Sequence, residues 1–237
     1  MTDSTDVTIV TGANGALGSA IVERLASAGR VIALLRGASG EAGLERVSTN
    51  LLRLRADTSD PDALRAALDR AQAELGSASG AVLTAGAWRG GHDFASREAA
   101  LDYRTVMESN LDSANVALRA ILPGMVQRRR GSVVLIGSRA GARPYDAKGD
   151  AAYAAAKAGL IALAQAIAAE VLADGVRVNV VLPSTIDTEA NRQSMPDADH
   201  SRWVTTESLG EVIAFLLSPG ARDVSGAALP VYGRINV

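Results

Sequence analysis

The chain has 237 residues, 48% of them apolar and 21% charged, with a net charge of −2. This balance fits one soluble domain over residues 1–237 with a sizeable core, and nothing global draws it to nucleic acid or an anionic membrane. The lack of cysteine excludes disulfides, thiol nucleophiles and thiolate metal ligands, and His92 and His200, far apart, make no metal set, so no metal is expected.

The first six residues, Met-Thr-Asp-Ser-Thr-Asp, are polar and acidic and lack the pattern of a secretory signal, which points to a cytoplasmic protein. Val7 to Gly18 then reads as an apolar strand, a glycine turn and a helix start. Unpaired N–H groups at such a helix start suit a pyrophosphate, although an ordinary strand-to-helix connection uses the same turn. Ile21, Val22, Leu25 and Ala28 continue the helix, Gly29 stops it, and Val31–Leu35 is a second strand. A strand at Leu51–Ala56 is followed by a helix from Asp60-Pro61 to Leu75, with an acidic N-cap and a first-turn proline. Gly80–Thr84 is a fourth strand, leaving through a glycine-rich loop at 85–91.

Helical spacing runs from Glu98 to Arg129, with a bend expected at Pro123-Gly124 and Arg128, Arg129 and Arg130 as a solvated helix end. Ser132–Ile136 is the fifth strand, and a loop with Gly141, Pro144 and Gly149 leads to an alanine-rich helix over Ala151–Ala173. Lys157, Gln165 and Glu170 mark that helix as buried or interfacial, not membrane-spanning. Asp174-Gly175 ends it, and Arg177–Leu182 is the sixth strand. The polar stretch from Pro183 to Val204 reads as a mobile segment, with a substrate lid at about 184–204. Thr205 caps a last helix ending at Pro219-Gly220, and Ala227–Val231 is the final strand. Sustained alternation predicts an α/β fold, a Rossmann-like doubly wound parallel sheet with helices on both faces and ligands at the carboxyl ends of its strands.

Polar residues at or near those ends are the candidates for chemistry. Tyr153 and Lys157 stand four apart on one helix face, where an ammonium can favour the phenolate and lower a pKa near ~10. Ser138 is placed to hydrogen-bond the same substrate oxygen, and Asn110, a poor mid-helix residue, to hold a water linking Lys157 to solvent. Tyr-x-x-x-Lys also arises by chance in many helices.

The order of these motifs resembles the short-chain dehydrogenase/reductase family across essentially the whole chain. Thr11-Gly12-Ala13-Asn14-Gly15-Ala16-Leu17-Gly18 looks like the family's cofactor turn, Asp57 with Thr58 like its adenine contact, and Leu83-Thr84-Ala85-Gly86 like its Asn-Asn-Ala-Gly element with both asparagines replaced. Asn110, Ser138, Tyr153 and Lys157 match its catalytic tetrad, and Pro183, Ile186 and Thr188 its nicotinamide-carboxamide element. The resemblance implies a bound dinucleotide, direct hydride transfer to or from a small carbonyl or alcohol, proton transfer by Tyr153, a ribose contact by Lys157, and pairing into a homodimer or homotetramer. Gly15 stands one residue before the family's usual glycine, Ser184 replaces a glycine, and the loop from Ser138 to Tyr153 is longer than usual and holds Asp146, Lys148 and Asp150. Gly15–Ser19, Trp88–Gly91 and Asp187–Trp203 look like dihydropteridine reductases, which makes a pterin the alternative substrate, whereas Ser138 favours ordinary carbonyl chemistry.

At the end of the second strand no carboxylate is present to bind an NAD ribose. Arg36 and Ser39 instead suit the 2′-phosphate of NADP, so NADP is expected before NAD, although Arg36 alternatively serves as a solvated or adenine-stacking side chain. A non-catalytic dinucleotide-binding regulator is the competing class, and the intact tetrad opposes it.

Overall fold

The computed structural model describes residues 6–36 and 43–235. Ser39 therefore lies outside the described residues. The chain runs β1 (Val7–Thr11), α1 (Ala16–Ala26), β2 (Arg30–Arg36), β3 (Gly43–Ser48), β4 (Leu51–Ala56), α2 (Pro61–Leu75) and β5 (Ala78–Leu83). Next come α3 (Arg97–Met107), α4 (Ser113–Arg128), β6 (Gly131–Ile136), α5 (Arg139–Ala142), α6 (Ala151–Val171) and β7 (Val176–Pro183). It ends with β8 (Ile186–Asp187), α7 (Glu189–Ser194), β9 (Val204–Thr205), α8 (Thr206–Leu217) and β10 (Ala228–Val231).

The main sheet has eight strands in the order β10-β7-β6-β5-β1-β2-β4-β3. Its pairs are parallel except β3 with β4. Both faces are covered, which is why the strands lack polar alternation. Ile9, Val133 and Leu135 point into a core with Leu68, Leu118 and Leu160 from α2, α4 and α6. Val10, Val134 and Ile136 point the other way, onto Ile21 of α1 and Leu209, Ile213 and Leu216 of α8. The chain order reverses between β1 and β5, so a crevice opens where their carboxyl ends diverge.

Helix boundaries follow local chemistry. The Asp60 carboxylate accepts from the N–H groups of Asp62 and Ala63 at 2.9 and 3.3 Å, and Thr205 Oγ1 accepts from Ser208 N at 3.1 Å, as their cap positions predict. The three arginines at the end of α4 do more than interact with a helix end. Arg128 donates to Ala78 O at 2.8 Å, Arg129 to Ala173 O at 2.7 Å, and Arg130 pairs with Asp6 at 2.5 Å, so the run ties neighbouring segments together.

The structure adds detail to four expectations. The expected parallel sheet is present, and β3 adds an antiparallel edge to it; exposed Glu45 and Arg46 give that strand no apolar face to read in the sequence. The Glu98–Arg129 stretch is not one regular helix bent at Pro123. A π-helical turn at Glu108–Asp112 joins α3 to α4, and α4 continues through Pro123 to Arg128. The loop after Ser138 includes the short helix α5. The 183–204 segment also has defined structure: β8 pairs with β9, Arg192 grips Asp187 at 2.6 and 2.7 Å, and Trp203 and Val204 are buried.

Candidate active site

The crevice is a cleft of about 940 Å³, at the upper end of the range for small-molecule sites. Gly12, Asn14, Gly15, Ala16, Leu17, Gly18, Arg36, Thr58, Ala85 and Gly86 line one part of it. Asn110, Ser138, Tyr153, Lys157, Pro183 and Ile186 line the rest, so the crossover topology gathers side chains separated by more than a hundred residues.

The glycine turn is set by close contacts. Gly12 has φ 62°, and a Cβ on Gly18 would lie 2.1 Å from Gly12 O, so a side chain at Gly18 would force the turn open. Gly15 precedes α1 without a side-chain cap, and Asn14, Gly15 and Ala16 are exposed along the cleft. First-turn N–H groups without a side-chain acceptor fit the pyrophosphate of a dinucleotide.

Two expected cofactor residues use their side chains locally. Asp57 accepts from Ser59 N at 2.8 Å and Ser59 Oγ at 2.6 Å, and these bonds, assisted by the Arg36 charge, hold its carboxyl below the usual range. Thr188 Oγ1 caps α7 by accepting from Asn191 N at 3.3 Å. Neither lines the cleft, whereas Thr58 and Ile186 beside them do. His92 and His200 also lie outside its lining; His200 packs against Trp203 with ring centroids 4.4 Å apart and the ring planes tilted by 46°.

Asn110 sits in the π-helical turn, 1% exposed. Its Nδ2 donates to Ala87 O at 2.8 Å and Val106 O at 2.9 Å, while its buried Oδ1 has no partner among the described residues. A Cβ on Gly86 would lie 2.6 Å from that Oδ1 and 3.4 Å from Lys157 Nζ, so both polar atoms flank one spot that only glycine leaves open. An acceptor and an ammonium facing one small space suit a bridging water.

Lys157 Nζ donates to Ile136 O at 2.9 Å and lies 5.7 Å from the Tyr153 ring centroid. Burial lowers the pKa of its ammonium to about 8. Tyr153 moves opposite to expectation. Burial pushes its phenol up, Asp150 adds to that rise, and the Ser138 hydrogen bond only partly opposes it. The i,i+4 spacing is present, but desolvation of the phenolate dominates. Ser138 Oγ accepts from Ala140 N at 3.2 Å while capping α5, which fixes the hydroxyl at the cleft.

Sequence reasoning missed further lining residues, including Trp88, Arg139, Arg143, Asn191, Met195 and Ile235. Arg139 had one available signal, its place directly after Ser138, whereas tertiary packing alone brings Ile235 to the cleft. Asp146 and Asp150 of the long loop do line it, and Gly91 N donates to Gly149 O at 3.0 Å and Asp150 Oδ1 at 3.2 Å, tying that loop to the one after β5.

Comparison with known proteins matches residues 6–199 to the short chain dehydrogenase family model. The 3-oxoacyl-(acyl-carrier-protein) reductase FabG of Escherichia coli (strain K12) is 31% identical over 239 residues, covering 96% of each chain. Among solved structures, a short-chain dehydrogenase/reductase family oxidoreductase from Burkholderia thailandensis superposes with TM-score 0.81 at 32% identity, over 96% of this chain and 91% of that one. A blue fluorescent protein from a metagenomic library, in complex with NADPH, gives 0.79 at 29% identity over 96% of both chains. With a cleft built at its sheet's switch point and these relatives spanning nearly its full length, the chain belongs to the short-chain dehydrogenase/reductase family and is an oxidoreductase.

Proposed function

We propose that the protein is an NADP-dependent reductase of small carbonyl compounds, able to run in reverse on the alcohols, and that it works in the cytoplasm. The observation that carries this reading is the convergence of Ser138, Tyr153 and Lys157 on the cleft that also contains the uncapped glycine turn. The turn would hold the pyrophosphate, and Lys157 would meet the nicotinamide ribose. When bound, the cofactor supplies or takes up the hydride. Tyr153 gives its proton to the carbonyl oxygen, and Ser138 holds that oxygen by hydrogen bonding. A raised phenol pKa keeps Tyr153 protonated through neutral pH, the form that reduction requires. The Asn110 carbonyl and Lys157 ammonium provide the route by which a water returns the proton. The FabG relative, named as a 3-oxoacyl reductase, supports a carbonyl substrate over a pterin. The test is a screen of small ketones and aldehydes that follows NADPH consumption; no turnover across that class would overturn the reading.

Cofactor preference rests on Arg36, which lines the cleft at the end of β2 where an NAD-selective site would have a carboxylate. Charge-assisted bonds to a phosphate are worth about 1.5–3 kcal/mol, so NADPH is expected to bind roughly ten- to a hundredfold more tightly than NADH. Arg36→Asp should reverse that order in calorimetric titrations. Equal affinities in the parent protein would rule out this role.

Assembly as a homodimer or homotetramer is supported by α6. Ala151–Asp174 has the length and apolarity to cross a membrane, but Ala154, Ala156, Leu160 and Ala164 on its inner side are buried in the domain. Its other side leaves Ala155, Ala162, Ala166 and Ala169 exposed, small residues that permit close helix approach. Light scattering at micromolar concentration should give a multiple of the chain mass; a monomer would contradict this assignment.

A further inference from the structure

The cleft wall after Ser138 holds more cationic donors than the protein uses. Arg139 and Arg143 lie four residues apart on one helical turn, joined by a hydrogen bond of 2.8 Å from Arg143 N to Arg139 O. Arg139 Nη2 is 2.9 Å from Asp146 Oδ2, and Arg143 Nε is 3.0 Å from the same oxygen. Two guanidiniums thus share one carboxylate, and all three residues line the cleft together with Ser138 and Tyr153.

The donors are under-used. Arg139 Nε is buried without a partner among the described residues, and no hydrogen bond from the Arg143 terminal nitrogens occurs among them. Arg139 is held over the Tyr232 ring, 5.9 Å from its centroid, which keeps its charge at the wall. Asp150, the other carboxylate here, is engaged by Gly91 N. The Arg139 Nε donor is removed from water without an acceptor, a cost that an anion would relieve, while the Arg143 side chain, 41% exposed, leaves its terminal nitrogens open to the cleft.

We infer that the substrate carries an oxyanion, a carboxylate or phosphate, besides its carbonyl, and that Arg143 with Arg139 holds it. This assignment of substrate class rests on the carbonyl-reductase reading above. Both arginines follow Ser138 closely in the chain and line the same cleft as Ser138 and Tyr153, so the anionic group and the carbonyl belong to one molecule. A planar guanidinium selects such a group more sharply than an ammonium does.

The test compares matched pairs with NADPH: acetoacetate and levulinate against their methyl esters, and dihydroxyacetone phosphate against dihydroxyacetone. The parent enzyme should favour at least one anionic member by tenfold or more in kcat/KM, chiefly through KM. Arg143→Gln should bring that ratio near one, and Arg143→Lys should restore part of it. Asp146→Asn gives the opposite sign. Removing the competing carboxylate should tighten anion binding, whereas loss of a merely structural ion pair would loosen the loop and weaken it. Equal use of charged and neutral partners, an unchanged ratio in Arg143→Gln, or weaker anion binding in Asp146→Asn would each overturn the inference. If no carbonyl is reduced, the reductase reading itself fails, and calorimetric titration of levulinate and dihydroxyacetone phosphate into the NADP-saturated protein still decides the anion site. Tenfold weaker binding of either by Arg143→Gln supports the site; no parent binding, or no difference, rejects it.

Discussion

Tyr153→Phe is expected to lose turnover on the order of a thousandfold while keeping the fold and NADPH affinity. The ring packs in the same space, and the change removes one oxygen whose ionised form the site disfavours through burial. What disappears is the group placed to deliver a proton to the developing alkoxide, and a positioned general acid contributes about 10²–10⁴-fold. Binding should be unaffected within about twofold, so the loss falls on kcat, as for an interaction made in the transition state. Steady-state kinetics on any confirmed carbonyl substrate, with calorimetry for NADPH, checks both halves. Turnover of the variant at the parent rate would remove Tyr153 from the mechanism.

Local chemistry was legible wherever one segment determined its own conformation. Asp60-Pro61 starts α2 because the carboxylate caps and the proline presets the first turn, and Thr205 begins α8 by the same means. The apolar strands could be read because a sheet covered on both faces needs them continuous. β3 was missed because an exposed edge strand with Glu45 and Arg46 gives no such signal. Ser138, Tyr153 and Lys157 could be picked out, yet their electrostatics could not. Helical spacing puts an ammonium near a phenol, but only the packed structure shows that burial dominates at both groups. The same limit applies to Asp57 and Thr188, whose side chains accept from backbone N–H groups two and three residues away, local contacts that a motif reading does not show. The Arg139–Asp146–Arg143 cluster depends on the path of the long loop, which spacing does not encode.

Lys157→Met should separate stability from function in one substitution. The parent ammonium is buried, makes a hydrogen bond to a backbone carbonyl and has its pKa lowered from 10.5 to about 8 by desolvation alone. Each pKa unit corresponds to about 1.4 kcal/mol, so at neutral pH the charge destabilises the fold by about 3 kcal/mol. Because the folded pKa lies below the unfolded one, this penalty is full below pH ~8, fades as pH rises toward ~10.5, and is absent above that. Methionine fills similar space without charge, and loss of the Ile136 O hydrogen bond returns about 1 kcal/mol. The variant is therefore expected to gain about 2 kcal/mol at pH 7, a rise in Tm of about 4–8 °C for a chain of this size, and to lose the whole of that gain by pH 10.5. Turnover should fall on the order of a hundredfold or more, and NADPH affinity should fall with it, because the ammonium is assigned to both the ribose and the proton path. Thermal unfolding of both proteins without cofactor, at equal concentration and at the two pH values, reads the stability half. A less stable variant at pH 7, or a difference that does not change with pH, would show that Lys157 is not held at a cost in the folded protein. A gain in stability with full turnover would show instead that the buried charge is dispensable for catalysis.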